Sequence, residues 1–223
     1  MNPNLLINTD FSQTYQQTTG WDTAKNGTTL ASSWGGYNSG VTNASTVYHA
    51  HLAMFHGEQV YEYIKTDNEA WLGVSQGGLL RSLFELNKTY TFSVDIYRTG
   101  NNYLNGGFYS IKQGETNYNW HIGQFSSSNV EKNKWVRFTY TFTVPSNIDL
   151  SKNVYWYMYG MNGGNGTMYM KRPKIEVGSV ATPWCLSDSE GYTETQHGIV
   201  EYPSESPSRV YTNIVKAKDF IEW

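Results

Sequence analysis

Residues Asn153–Tyr159 read Asn-Val-Tyr-Trp-Tyr-Met-Tyr, and this period-two pattern limits what the chain can fold into more than any other stretch. Side chains of a strand alternate between its two faces, so Val154, Trp156 and Met158 project one way while Tyr155, Tyr157 and Tyr159 project the other. The first set needs a covered interior. The second offers three phenol rings, each joining apolar contact area to a hydroxyl tip. A strand of this kind belongs to a sheet with one buried face and one face able to bind.

The same alternation recurs along the chain. In Thr89–Arg98, Tyr90, Phe92, Val94 and Ile96 alternate with Thr91, Ser93, Asp95 and Tyr97, and in Trp135–Val144 five apolar residues alternate with Arg137 and three threonines. Further strands are expected at Asn4–Phe11, Thr46–Phe55, Gln59–Lys65, Trp71–Val74, Phe108–Lys112, Tyr118–Phe125 and Thr167–Val177, separated by Gly, Asn and Pro. Leu79–Leu86 leads through an Asn87-Lys88 turn into the next strand. Helical periodicity is confined to Ile214–Ile221. Eight or more strands, each with one apolar face, predict an all-β fold: two antiparallel sheets packed face to face as a jelly-roll sandwich, with a short C-terminal extension. With 223 residues the chain can build one such domain, expected over residues 1–186. Residues 187–223 read as a linker and attachment segment, because Ser187–Pro207 is rich in Ser, Glu, Thr and Pro before apolar residues return at Val210–Trp223.

Charge narrows the function. A formal net charge of -3 with no clustered basic face argues against nucleic acid as a partner, since phosphate neutralisation needs such a face. No run of eighteen apolar residues is present, so membrane insertion is not expected, and Met1-Asn-Pro-Asn lacks the basic start and apolar core of a secretory signal. The single cysteine, Cys185, forms no internal disulfide framework and no Cys-based metal site.

The candidate binding chemistry is aromatic. Tyr155, Tyr157 and Tyr159 form a stacking platform for sugar rings, unless the Ser12–Asn43 segment or the C-terminal arm covers them. Tyr97 leaves the polar side of its strand and would extend that face, with Asp95 and Arg137 as hydroxyl partners if neighbouring strands align them. Tyr118-Asn-Trp-His121 is the densest local mix of ring, amide and imidazole. Trp120 and His121 are read as site residues, although alternation with Ile122 puts Trp120 in the core equally well, and a one-residue slip reverses the faces. Trp34 and Tyr37, flanking Gly35-Gly36, look like a loop tip able to clamp a ligand or to seal the sandwich. Glycosidase chemistry needs two carboxylates at a defined separation, and no such pairing is legible. His49, His51 and His56 suggest a metal, but a His-x-His pair without a third ligand is a weak signal.

Four stretches together carry a resemblance. Asn4-Leu-Leu-Ile-Asn-Thr-Asp-Phe-Ser, Leu86-Asn-Lys-Thr-Tyr-Thr-Phe-Ser-Val, Lys134-Trp-Val-Arg-Phe-Thr-Tyr-Thr-Phe-Thr-Val-Pro and Arg172-Pro-Lys-Ile-Glu-Val-Gly-Ser-Val-Ala-Thr-Pro-Trp resemble the carbohydrate-binding-module-like β-sandwich of bacteriophage tail, baseplate and fibre proteins. That module is in turn similar to the galactose-binding-type jelly rolls appended to glycoside hydrolases. The match spans residues 4–185. It implies a non-catalytic module of a virion, made in the host cytoplasm, that recognises host cell-surface polysaccharide. Its other implied partners are virion proteins and further copies of itself, a trimer by analogy with phage fibres. A decoration or joining protein without sugar binding is the alternative. A jelly-roll polysaccharide lyase is a third reading, but the Arg-Ser/Thr-Glu-Leu, Gln-Ile/Val-His and Tyr-Phe-Lys-x-Gly strands of those enzymes are absent. Hydrolase-appended relatives often carry an Asp near a structural calcium on the last strand. Lys174-Ile-Glu176 stands there in this chain, so any calcium would be held partly by Asp10 or Glu176, carboxylates that suit a hard cation.

Overall fold

The computed structural model describes residues 2–16, 29–39, 50–65, 71–77, 80–160, 165–188 and 190, with backbone alone at 36–39, 65, 71–72 and 77. Its elements are β1 (Thr14–Gln16), β2 (Thr29–Ala31), β3 (Gly35–Ser39), β4 (His51–Phe55), β5 (Glu58–Lys65) and β6 (Trp71–Gly77), then one helical turn, α1 (Leu80–Leu83). There follow β7 (Thr89–Arg98), β8 (Leu104–Ser110), β9 (Asn119–Ser126), β10 (Val136–Thr143), β11 (Tyr155–Gly160) and β12 (Gly166–Val177). The expected all-β sandwich is present. One sheet runs β3-β6-β11-β8-β9, the other β10-β7-β12-β5-β4, and β1 and β2 form a separate two-stranded pair.

The parity read from the sequence places the core. Val154, Trp156 and Met158 are wholly buried, as are Tyr90, Phe92, Val94 and Ile96 on β7. The two sets meet between the sheets, where Phe92 and Trp156 lie 4.8 Å apart edge to face. Such aromatic pairs add stabilisation beyond the area they bury.

Two segments differ from the sequence expectation, and a third resolves a choice the sequence leaves open. Asn4–Phe11 is not a strand, because its own side chains take over the backbone bonds a ladder would use. Asn4 Oδ1 accepts from the backbone N–H of Leu6 and of Ile175, both at 3.1 Å, and Asn4 Nδ2 donates to Pro173 O at 3.0 Å. Leu80–Leu83 forms a helical turn, and Asn87 then takes φ 63° to turn the chain into β7; Asn tolerates that left-handed region. Of the two roles read for Trp34, clamping a ligand or sealing the sandwich, the structure shows the second: the side chain is 1% exposed. Ser33 at φ 69° turns the chain between β2 and β3, and the indole donates to Ile7 O at 3.1 Å and lies 5.6 Å from Trp156. It is a core residue.

The chain beyond β12 is fastened by a buried ion pair. Lys174 and Glu176, both 0% exposed, lie 3.2 Å apart. The Lys174 ammonium also donates to Thr182 Oγ1 (2.7 Å) and Pro183 O (3.0 Å). Glu176 accepts from the Thr182 N–H at 2.7 Å and from its hydroxyl at 2.6 Å. A desolvated pair contributes little over an apolar replacement, but an orphaned member is costly. Lys174→Met is therefore expected to destabilise the protein by about 3–5 kcal/mol in urea unfolding. The Lys174→Met/Glu176→Leu double change should recover most of that loss.

Candidate functional site

Strand β11 lies at the centre of its sheet, and its tyrosines look out from the core. Tyr155 pairs with Gly77 of β6 and Tyr109 of β8, Tyr157 with Ser75 and Gly107, and Tyr159 with Gly73 and Asn105. The rows beside Tyr157 thus carry almost no side chain. Rings fill the space nearby. Trp120 lies 5.0 Å from Tyr109, 5.9 Å from Tyr157 and 6.1 Å from Tyr159. Tyr118 lies 5.7 Å from Tyr109 and 5.5 Å from Tyr155. These six aromatic side chains make one continuous floor. Five of them are partly exposed, whereas Tyr159 is 6% exposed. Gly73 lets Tyr159 settle, since a Cβ there would stand 2.6 Å from Tyr159 Cα and 2.8 Å from its Cβ.

Hydrogen-bonding groups edge the floor. Asn153 Nδ2 donates to the Tyr155 hydroxyl at 3.1 Å, Tyr159 is hydrogen-bonded to Gln124, and Gln124 and Ser126 are exposed. Burial, then the neighbouring phenols of Tyr155, Tyr109 and Tyr118, push the Tyr157 pKa up to about 12. Burial raises that of Tyr118 as well. Both hydroxyls are protonated at neutral pH and able to donate as well as accept.

The remaining sequence candidates are distributed as follows. Trp120 joins the outer floor while Ile122 is in the core. Simple alternation fails there because β9 is irregular: Phe108 pairs with Gly123 but Ser110 with Asn119, two residue steps on β8 against four on β9, with Gly123 at φ 145°. His121 has its Nε2 3.3 Å from Glu115 Oε2. Tyr97 does not extend the floor, because β7 belongs to the other sheet. It packs there with Trp135 at 5.7 Å and Phe55 at 5.0 Å. The assumed Asp95–Arg137 alignment holds: the two are register partners with a 3.2 Å ion pair, and Arg137 is tied further to Ser93 Oγ at 2.8 Å. Tyr37 has its backbone opposite Gly73, and its side chain lies outside the described residues. Tyr109 escapes the sequence reading, and Tyr118 is noted there only as part of the Tyr118–His121 run and not as a site residue. Alternation turns Tyr109 away from Phe108, but only the β8–β11 register reveals its place beside Tyr155.

Glu176, one of the two carboxylates considered for calcium, does not fit that ion. Both Glu176 oxygens are occupied by Thr182, and the Lys174 ammonium already supplies the opposing charge. Asp10 Oδ1 accepts from the Ser12 N–H at 3.1 Å. Among the described residues, no group of three or more His, Cys, Asp or Glu side chains could hold a metal ion. His51 lies 2.9 Å from Glu62, His56 stacks on Phe55 at 3.9 Å, and His49 lies outside the described residues.

No family model matches the sequence, and no curated protein matches it. Solved structures do. A candidate sugar-binding protein from Bacteroides thetaiotaomicron VPI-5482 aligns with a TM-score of 0.56 at 9% identity, over 78% of this chain and 100% of that one. The chain has that sandwich fold. The CBM22-1 xylan-binding domain from Paenibacillus barcinonensis aligns at TM-score 0.46 and 12% identity, over 81% of this chain and 97% of that one. A structure described as CBM4 aligns at 0.47 and 15%, over 77% and 98%.

The shifted phenol yields a pH test. Unfolded tyrosine loses its proton near pH 10.0 and folded Tyr157 near 12, so the folded state holds the proton more tightly. This stabilisation is complete below pH 10 and disappears as pH rises through 12. Tyr157→Phe should therefore flatten part of the alkaline loss of stability in urea unfolding between pH 9 and 11.5, while leaving the curve at pH 7 nearly unchanged.

Proposed function

We propose that this chain is a non-catalytic carbohydrate-binding module whose site is the aromatic floor on the outer face of the β3-β6-β11-β8-β9 sheet. The observation that carries this is the contiguity of Tyr109, Tyr118, Trp120, Tyr155 and Tyr157, partly exposed and set beside rows of glycine and serine. A pyranose presents C–H-rich faces that lie flat on such rings, while its hydroxyls reach polar groups at the edge, here Gln124, Asn105, Ser75 and the phenol tips. The floor is open and long, which suits a polysaccharide chain.

The sandwich fold supports the reading, and the sequence resemblance supplies the setting: a phage tail, baseplate or fibre protein recognising host cell-surface polysaccharide. An open face buries little of a wet ligand, and polar desolvation offsets much of the stacking gain, so each site binds weakly. Several copies on one particle turn weak sites into firm adhesion. We therefore assign the working form as a homo-oligomer in the virion, a trimer by analogy with fibres, with residues 187–223 joining the sandwich at 1–186 to partner chains. The competing reading is a joining module without sugar binding, which the same experiment separates.

Titration against host cell-wall polysaccharide by affinity electrophoresis should show Trp120→Ala and Tyr157→Ala each weakening binding by about tenfold, ~1.4 kcal/mol. Tyr97→Ala, on the other sheet, should leave it unchanged. Loss with Tyr97→Ala alone would move the site to the opposite face. Absence of binding to every polysaccharide would favour the joining role, and release of unsaturated, ultraviolet-absorbing products would make the protein a lyase.

A further inference from the structure

The opposite side of the sandwich contains a cavity that plays no part in the tyrosine floor. About 230 Å³ in volume, it lies between the N-terminal segment, the start of β5 and the irregular middle of β12. Its walls include Asp10, Phe11, Glu58, Lys171, Arg172 and Trp184. Glu58 and Arg172 are each 40% exposed, so the cavity is open to solvent.

The backbone here is shaped to build it. Consecutive residues of a strand point to opposite faces, yet Lys171 and Arg172 both reach Glu58: Lys171 Nζ contacts one carboxylate oxygen, and Arg172 donates to the other at 2.9 Å. This needs the bulge between Lys171 and Lys174 and the left-handed φ of 53° at Arg172. Bulges of this kind re-aim side chains beside functional sites. Phe11, on another wall, also has a left-handed φ, 59°. Neither residue is of a type that adopts this region readily. Beside the charged group, Trp184 is fixed by its indole N–H to Thr9 Oγ1 at 3.1 Å, and the Arg172 guanidinium lies over the ring at 5.7 Å.

The lining has two carboxylates, Asp10 and Glu58, and two cations, Lys171 and Arg172. Its formal charge sums to zero. At Glu58 burial opposes ionisation, but the Lys171 hydrogen bond and the fields of Arg172 and Lys171 outweigh it, so the pKa is lowered and the carboxylate stays charged. A uronate or phosphate entering this cavity would meet both carboxylates and would have to displace Glu58 from the cations. A hydroxyl both donates and accepts, so it can bridge carboxylate and guanidinium without breaking their contact. One indole wall and a ring of paired charges suit a polyhydroxylated ring. The volume is below the roughly 300–1,000 Å³ of sites for drug-sized ligands, which leaves room for a single ring and not an extended chain.

We propose that this cavity is a second binding site, taking one neutral sugar ring such as a chain end, on the face of the sandwich opposite the tyrosine floor. It does not rest on the floor being a glycan site.

Two indoles report on the two surfaces separately. In ¹H–¹⁵N spectra of the full chain, with Trp184 and Trp120 side-chain signals assigned by Trp→Phe substitution, the methyl glycosides of glucose, galactose, mannose and xylose are titrated one by one, beside methyl β-glucuronide. The expected result is a saturable shift of the Trp184 signal with at least one neutral glycoside and binding of the glucuronide weaker by about tenfold, the scale of a hydrogen bond to a charged group. Glu58→Gln and Asp10→Asn, checked for an unchanged melting curve, should each weaken the neutral ligand by a similar factor. A Trp184 signal that no neutral glycoside moves would overturn the proposal, as would preference for the glucuronide or undiminished binding in both variants. Movement of the Trp120 signal alone would reject this second site while supporting the floor. Movement of Trp184 alone would support this second site and leave the floor to the polysaccharide titration above.

Discussion

Burial of Trp156 between the sheets is the contact on which the rest of the molecule depends. Its ring meets Phe92 of the facing sheet and Trp34 from the β2–β3 turn, and it is wholly buried. Because side chains alternate strictly along a strand, fixing Trp156 inward fixes Tyr155 and Tyr157 outward. The same constraint that closes the core therefore creates the candidate binding floor. A slip of one residue in β11 would expose an indole and bury phenols without partners, so stability and surface chemistry are held by one register.

Bulges then adjust what alternation alone would give. On β9 the extra residues between Asn119 and Gly123 bring Trp120 out onto the floor while Ile122 remains in the core. On β12 the bulge at Arg172 turns two consecutive cations toward Glu58. Each departure from regular pleating coincides with a cluster of polar and aromatic side chains, and each lies beside a surface proposed above to take a ligand.

These departures also mark where the sequence could and could not be read. The sandwich, the inward set on β7, β10 and β11, and the outward direction of Tyr155 and Tyr157 follow from period-two alternation, which is a local property. Sheet membership is not local. Nothing in the run Thr89–Arg98 says that β7 pairs with β12 and β10 while β11 pairs with β6 and β8, so alternation alone cannot show that Tyr97 lies on the other sheet from the floor. Trp34 between polar, glycine-rich neighbours can be read as a clamp or as a seal, and only the turn at Ser33 shows how it reaches the core. Asn4, bonded to the backbone of Pro173 and Ile175, and Asn8, whose Nδ2 donates to Ser32 O at 2.9 Å, shape the N-terminal segment through side-chain bonds to distant backbone, which composition cannot reveal. Trp120 depended on a bulge, and the partnership of Tyr109 with Tyr155 on inter-strand register.

The Lys174–Glu176 couple gives the end of the sandwich an ammonium that belongs to the polypeptide. A counter-ion joined covalently to its own strand cannot be diluted away, exchanged or sequestered, and it arrives in fixed one-to-one proportion with the carboxylate it neutralises. Closure of the chain over β12 through this contact is therefore set at synthesis and is independent of the mineral content of the surroundings.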